Sequence, residues 1–387
     1  MTNPLTLILD LCAGPGGWSQ ALRALGLSDV GIELDPSACA TRAATGHTTV
    51  RADIAFFPVH RLIRRLWGLI ASPPCQGFSM AGLRAGWDDL DLIRRALADL
   101  AAGRDTRAEL AARAADPRSL LMAEPLRYAL AGRPEWVACE QVPGVLPLWR
   151  ETARHLRAAG YSTWTGVLNA ADYGVPQTRT RAILIASRIR QVHRPEPTHA
   201  KNPDAGVLFG PELRPWISMA QALGWSEPAI VNTRGQRRTP GGNEFCADRP
   251  AWTLTEKTRS WMLRAGTRTH SPVRGADQPS PTLVFGHALN DISWVRERPA
   301  TTVGSTARIA KPGHRDRAHG ERQFADSVRI EAWEAAVLQG FPPDYPWQGT
   351  KTKVFEQIGN AVPPPLARAV LAEATGLHSA VPLMAGS

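Results

Sequence analysis

The sequence predicts an α/β fold in which a mostly parallel sheet carries helices on both faces, accompanied by a smaller irregular domain. Two observations predict it. Across the first 190 residues short apolar runs alternate with helical patterns, as βαβ units require. After Ser187 that alternation stops, and the chain becomes rich in Gly, Pro, Thr and Arg with little helical periodicity.

Taken in order, "LTLILDL" reads as the first strand and "WSQALRALG" as the helix that it feeds through a Gly-rich turn. "DVGIEL", "LWGLIAS", "EWVACE" and "RAILIAS" read as further strands of the same sheet. Residues 85–115 are an inserted helical excursion: Ala, Arg and Leu recur at helical spacing in two pieces, interrupted at Gly103. The Pro-rich, charged stretch "RIRQVHRPEPTHAKNPDAG" reads as a linker and sets a boundary near residue 188. Beyond it a P-x-x-T-[LV] pattern occurs in "RPAWTLT", "QPSPTLV" and "RPATTV", 29 and 20 residues apart. That uneven spacing argues against a solenoid and favours a turn followed by a strand. A helical pattern resumes from Ser327 in "SVRIEAWEAAVLQG", and "PPPLARAVLAEATG" is a helix opened by proline. The expected domains are therefore 1–187 joined by 327–387, and 188–326.

A chain of 387 residues has room for one large core and a smaller second one. With 43% apolar and 21% charged residues it has an ordinary globular composition, and no apolar stretch approaches the roughly 20 residues of a membrane span. The opening "MTNPLTLILDLCAGPGG" has no basic leading segment, so a cytoplasmic location is expected. The five cysteines, Cys12, Cys39, Cys75, Cys139 and Cys246, are scattered without a CxxC pair, which argues against a disulfide framework or a zinc site. A net charge of +10 suggests a polyanionic partner. Its placement is more telling: residues 231–330 hold 17 Lys and Arg against 9 Asp and Glu, making this segment the candidate nucleic-acid surface.

In open parallel sheets ligands bind beyond the carboxyl ends of the strands, so the residues that follow the apolar runs are the candidates. In "LILDLCAGPGGWS", Asp10 closes a strand and Gly14, Gly16 and Gly17 allow a tight turn and close backbone approach to a nucleoside-type ligand; a plain strand-to-helix turn has the same pattern. Glu33 follows Gly14 by 19 residues, near the separation of an acid that accepts hydrogen bonds from a ribose. Asp53 in "RADI" is a candidate for a purine amino group, and either acid is also compatible with a solvated loop. In "LWGLIASPPCQGFS", Pro73 and Pro74 stiffen an extended loop and hold the Cys75 thiol still, whereas the other four cysteines read as small buried hydrophobes. In "PEWVACEQVPG" the strand delivers Glu140 to the same edge, where partial desolvation raises a carboxyl pKa and suits it to proton donation; an ordinary salt-bridged acid is the alternative. Arg179 and Arg181 in "PQTRTR" share a face if extended, which suits an anionic or carbonyl-bearing substrate or a solvated basic turn.

Together these residues resemble the DNA cytosine-5 methyltransferase family, over nearly the whole chain and in the family's order. "DLCAGPGGWS" is similar to its methyl-donor loop, "SPPCQGFS" to its Pro-Cys loop, "EQV" to its Glu-Asn-Val motif and "QTRTR" to its Gln-x-Arg-x-Arg motif. "RIEAWEAAVLQGFPPDY" is similar to the segment after the variable region, and "QIGNAVPP" to the closing Gly-Asn motif. The resemblance implies a Rossmann-like S-adenosylmethionine-dependent domain and a target-recognition domain at 188–326. It implies a catalytic set of Cys75, Glu140, Arg179 and Arg181. Cys75 adds to C6 of a flipped cytosine, Glu140 protonates N3, Arg181 contacts O2 and Arg179 supports the loop. For S-adenosylmethionine it implies Gly14, Gly16 and Gly17 at the methionine part, Glu33 at the ribose, Asp53 with Ile54 at the adenine, and Pro74 and Asn360 completing a pocket to which Asp10, Cys12, Leu34 and Val362 also belong. Duplex DNA is the implied partner, met by a monomer, with any cognate restriction endonuclease acting separately.

Three features depart from the family pattern. Cys12 stands where the family often has Phe, Gln141 where it has Asn, and the 85–115 excursion where it is shorter. The competing readings are a tRNA cytosine-5 methyltransferase, a catalytically silent DNA-binding regulator, and a nicotinamide-dependent dehydrogenase. The last leaves the Pro-Pro-Cys loop and the Gly-Asn motif unexplained.

Overall fold

A computed structural model describes residues 7–62, 66–74, 78, 85–203, 213–224, 229–232, 244–254, 262–265 and 328–377. The chain begins β1 (Leu7–Leu11), α1 (Gly17–Ala24), β2 (Val30–Glu33), α2 (Pro36–Ala44), β3 (Thr48–Arg51) and β4 (Leu66–Ala71). Then come α3 (Ala85–Asp88), α4 (Leu90–Ala101), α5 (Arg107–Ala111), α6 (Glu124–Gly132), β5 (Trp136–Gln141), α7 (Leu146–Ala158), β6 (Ser162–Asn169), β7 (Gln177–Thr178) and β8 (Thr180–Ser187). Seven of these strands form one sheet in the order β3-β2-β1-β4-β5-β8-β6. β8 runs antiparallel to both of its neighbours, and the other paired strands run in one direction.

The apolar runs at the sheet centre are continuous because both faces are covered. Along β4, Leu69 and Ala71 point to the side of α4, α6 and α7, while Ile70 points to the side of α1 and the C-terminal helix. β5 alternates likewise, with Val137 and Cys139 on the first side and Trp136 and Ala138 on the second. Gly68 makes room for this packing, since a Cβ there would lie 2.0 Å from the Trp136 ring. The two strands that no apolar run announced, β3 and β6, are the edges of the sheet; β3 is mostly exposed and β6 largely half-exposed.

The 85–115 segment forms three helices where two were expected, α3, α4 and α5, with Gly103 between the last two at φ +77° in the left-handed region. The remaining elements are β9 (His199–Ala200), β10 (Arg214–Pro215), α8 (Met219–Leu223), β11 (Ala229–Asn232), β12 (Glu244–Cys246), β13 (Ala251–Trp252), β14 (Met262–Ala265), β15 (Val328–Arg329), α9 (Ala332–Leu338), α10 (Lys351–Asn360) and α11 (Pro364–Thr375). The first P-x-x-T copy is a short strand, β13, which pairs with β7; the other two copies lie outside the described residues. The helix expected from Ser327 starts only at Ala332, because Val328–Arg329 is claimed by β14 as an antiparallel partner. α11 returns to the sheet and packs on α1, with Leu366, Val370 and Leu371 fully buried. A third core joins Met219 and Leu254 to Ile330, Phe341, Phe355 and Ile358.

Candidate functional site

A cavity of about 640 Å³ opens beyond the carboxyl ends of β1, β2, β4 and β5, where an open parallel sheet places its ligands. Its first wall is the β1–α1 turn. Cys12 adopts φ +57°, Gly14 +54° and Gly16 +105°, so the chain doubles back within a few residues. The glycines serve different ends. A Cβ on Gly14 would meet nothing within 4 Å, whereas one on Gly17 would lie 2.1 Å from the Val362 carbonyl oxygen. Gly17 therefore lets α1 start directly against the Gly-Asn segment.

Glu33 ties the turn to the end of β2. One carboxylate oxygen accepts the Gly14 N–H at 2.8 Å, and the other accepts the N–H groups of Leu34 and Asp35 at 2.7 and 2.8 Å. Leu34, Asp53 and Ile54 continue this wall. Cys12 lines it too, with its thiol pKa raised well above the usual range, by burial first and then by the Glu33 charge. It stands on the cavity wall, and among the described cysteines Cys139 alone is fully buried.

The second wall is Ser72–Pro74. The Ser72 N–H reaches the Leu11 carbonyl at 3.1 Å, and Trp18 Nε1 donates to Ser72 Oγ at 2.9 Å. Gln141 Nε2 donates to the Pro73 carbonyl at 2.8 Å. The longer amide at this position thus holds the proline run from the neighbouring strand. Pro74 lines the cavity, and Cys75 lies outside the described residues.

On the third wall Arg181 Nε lies 2.8 Å from Glu140 Oε1, in an ion pair whose side chains are 12% and 8% exposed. Arg179 borders the same cavity but behaves differently. It is buried, and its Nη1 donates to the carbonyls of Gly359 at 2.8 Å and Leu254 at 3.3 Å. The two arginines expected to act on one face are divided between an ion pair and a backbone clip.

The last wall, Asn360 to Val362, comes from the far end of the chain. α10 carries it and is pinned to α2: Thr41 Oγ1 donates to Gln357 Oε1 at 2.7 Å, and Lys353 Nζ meets Asp35 at 3.1 Å. Gln339 Nε2 holds the Ala361 carbonyl at 2.6 Å. Gln177 bridges the same region, accepting the Leu254 N–H at 2.9 Å and donating to Gln339 at 2.6 Å. Gln177 and Gln357 open the "QTRTR" and "QIGNAVPP" motifs but no role was expected of either, and Lys353 carries no local signal.

Two expected pocket residues lie off the wall. Gly16 packs beneath the turn, where a Cβ would strike His47 and the Tyr345 hydroxyl. Asp10 is fully buried, and its carboxylate oxygens have no hydrogen-bond partner among the described residues. It lies on the α1 side of β1, because side chains alternate along a strand and neighbouring Ile8 packs there. Burial, reinforced by Asp29, pushes its carboxyl pKa far up, so it is held neutral.

The family model for C-5 cytosine-specific DNA methylases matches residues 6–91 and 108–375. The chain belongs to this family. Among curated relatives, the Type II methyltransferase M1.HphI of Haemophilus parahaemolyticus is 27% identical over 94% of this chain and 84% of its own length. The Type II methyltransferase M.NgoMIV of Neisseria gonorrhoeae is 27% identical over 94% of this chain and 95% of its own. The solved S. pombe Dnmt2 methyltransferase has the same fold, with a TM-score of 0.52 at 14% identity, over 95% of this chain and 97% of that one. Family membership makes the chain a DNA (cytosine-5-)-methyltransferase with a Rossmann-like fold, and methyltransferases of this family generally use S-adenosylmethionine. The C-5 methylase match omits residues 92–107, most of α4 and the turn after it.

Proposed function

We propose that this methylase flips a cytosine from duplex DNA into the mouth of the cavity and methylates C5 through a covalent Cys75–C6 adduct. One observation carries the reading: a single cavity joins the Glu33-anchored glycine turn to the Glu140–Arg181 pair and to the proline run that leads into Cys75.

The residues present fit the donor. Glu33 offers carboxylate oxygens to ribose hydroxyls, Gly14 leaves open space for close approach, and Asp53 with Ile54 forms a polar and apolar wall for a purine. Bound there, S-adenosylmethionine supplies an electrophilic methyl group. Cys75 adds as thiolate to C6, forming the S–C6 bond and moving the ring electrons toward C5. Glu140 supplies a proton to N3, which neutralises the charge arising on the ring, and Arg181 orients Glu140 while contacting O2. C5 takes the methyl group as the methyl's bond to the donor sulfur breaks, leaving the neutral thioether. A base then accepts the C5 proton, the C5–C6 double bond re-forms as the S–C6 bond breaks to return the thiolate, and N3 gives its proton back to Glu140. Flipping costs a few kcal/mol, offset by contacts to the extruded base and the groove.

In this reading 1–187 and 327–387 form the catalytic domain and 188–326 the recognition domain, with its basic side chains on phosphates. The strand β15 carries the recognition unit's sheet slightly past the 326 boundary. The Type II names of the relatives fit a restriction-modification role rather than an orphan or phage one. In this reading the enzyme acts as a monomer in a bacterial or phage-infected cytoplasm, beside a separate endonuclease. The test is expression in a host free of cytosine methylation, followed by bisulfite sequencing beside a Cys75→Ser control. Methylation confined to one short sequence and lost in the control supports the proposal; unmodified DNA from folded protein contradicts it.

A further inference from the structure

The residues that the family match omits contact the donor side of the cavity through one short chain of polar groups. Asp99, buried in α4, accepts Arg95 Nε at 2.8 Å and Thr106 Oγ1 at 2.9 Å, and also pairs with Arg104. This staples the turn that leads into α5. At the start of α5, Arg107 is gripped by Asp105 through Nε at 2.8 Å and Nη2 at 2.7 Å. Its Nη1 bonds Glu124 and reaches the Ala55 carbonyl at 3.4 Å. Glu124 is buried, and its other oxygen accepts Arg127 Nε at 2.7 Å. Arg127 Nη2 in turn donates to the Ile54 carbonyl at 2.7 Å, beside the Tyr128 hydroxyl at 2.8 Å. Ile54 and Asp53 are wall residues of the cavity, and Asp53 Oδ1 accepts the Ala55 N–H at 2.9 Å.

We infer that the 85–115 insertion tunes methyl-donor binding, with Arg107 as a positioning residue that fixes the Asp53–Ala55 wall through Glu124 and Arg127. The inference rests on the reading of that wall as the purine side of the donor pocket. The Ile54 carbonyl is held by Arg127 together with the Tyr128 hydroxyl, and the Ala55 carbonyl faces the guanidinium donors of Arg107 and Arg127, so the set of this wall depends on how those guanidinium groups are oriented. A buried Glu124 gripped from both sides aims Arg127, whereas Glu124 gripped from one side alone does not. The planar fork of Arg107 meets two carboxylates and a carbonyl together, which a lysine does not reproduce.

The test is calorimetric titration of the full-length protein with S-adenosylmethionine, comparing wild type, Arg107→Met, Arg107→Lys, Asp53→Ala and Asp53→Ala/Arg107→Met, with DNA binding measured in parallel. Arg107→Lys guards against a folding failure of the Met variant. The expected result is about tenfold weaker donor binding for Arg107→Met, a smaller loss for Arg107→Lys, and unchanged DNA affinity. In the Asp53→Ala background the Arg107 effect shrinks, because the wall residue it serves is gone. Wild-type binding with no loss in either Arg107 variant, or an Arg107 effect that adds in full to Asp53→Ala, overturns the inference and leaves the donor pocket standing. Absence of donor binding by folded wild type overturns the pocket reading and the inference with it.

Discussion

Gln141 Nε2 donates to the Pro73 carbonyl at 2.8 Å, linking the end of β5 to the proline run two residues before Cys75. A buried amide that satisfies a loop carbonyl fixes where the following residues can travel. Gln141→Leu keeps the volume and removes the donor. Single-turnover methylation is expected to fall about ten- to a hundredfold while donor affinity is unchanged. A parallel loss of donor affinity would show that Gln141 acts elsewhere.

The Glu140–Arg181 pair makes a second prediction. Arg181→Ala leaves a buried carboxylate without its ion partner and removes the group proposed to face O2. Turnover is expected to drop about 10²- to 10⁴-fold, with Arg181→Lys recovering part of it. Rapid-quench assays at saturating DNA and donor measure the chemical step directly.

Two glycines of one motif should respond differently. Gly17→Ala drives a methyl group to 2.1 Å from the Val362 carbonyl oxygen, so melting temperature and donor affinity both fall, with a stability loss of about 1–3 kcal/mol. Gly14→Ala meets no atom within 4 Å, and its stability loss is limited to the left-handed backbone strain of about 1–2 kcal/mol. Thermal melts with and without donor separate the two.

Beneath the turn, His47 and Asp10 give opposite pH dependences. Burial and the Arg42 charge push the His47 pKa from 6.5 down to about 4, so the unfolded chain binds more protons between those values and His47's contribution to stability is lost as pH falls through them. Asp10 has a raised pKa when folded, so the folded state holds the extra proton, and stability falls as pH rises from the ordinary carboxylate value toward the raised one. His47→Gln should remove the loss of melting temperature on acidification between about 6.5 and 4, and Asp10→Asn the opposing loss on raising pH from the ordinary carboxylate value.

Much of this was readable from the chain because strand-end motifs are local. "DLCAGPGGWS", Glu33 and "SPP" sit directly after apolar runs, and the sheet order brings them together. Edge strands β3 and β6 were not legible, since exposed and half-exposed strands lack the continuous apolar run of the centre. The antiparallel setting of β8 is fixed by pairing, which composition does not reveal. Asp10 misled for a related reason: strand alternation decides which face a side chain takes, and one residue's shift separates the pocket from the core. The contacts of Arg179 with Gly359 and of Thr41 with Gln357 span 180 and 316 residues, so no spacing rule could announce them.

The central claim is that Cys75 attacks C6 while the donor pocket delivers a methyl group to C5. The most direct measurement is mass spectrometry of the protein after incubation with S-adenosylmethionine and duplex DNA carrying 5-fluorocytosine at the target position. Fluorine cannot leave as a proton does, so the reaction stops after methyl transfer with the S–C6 bond intact. The predicted result is a peptide containing Cys75 joined to a methylated fluorocytosine nucleotide, dependent on the donor and absent from Cys75→Ser. Attachment at another residue, or cytosine methylation that persists in Cys75→Ser, would contradict the account.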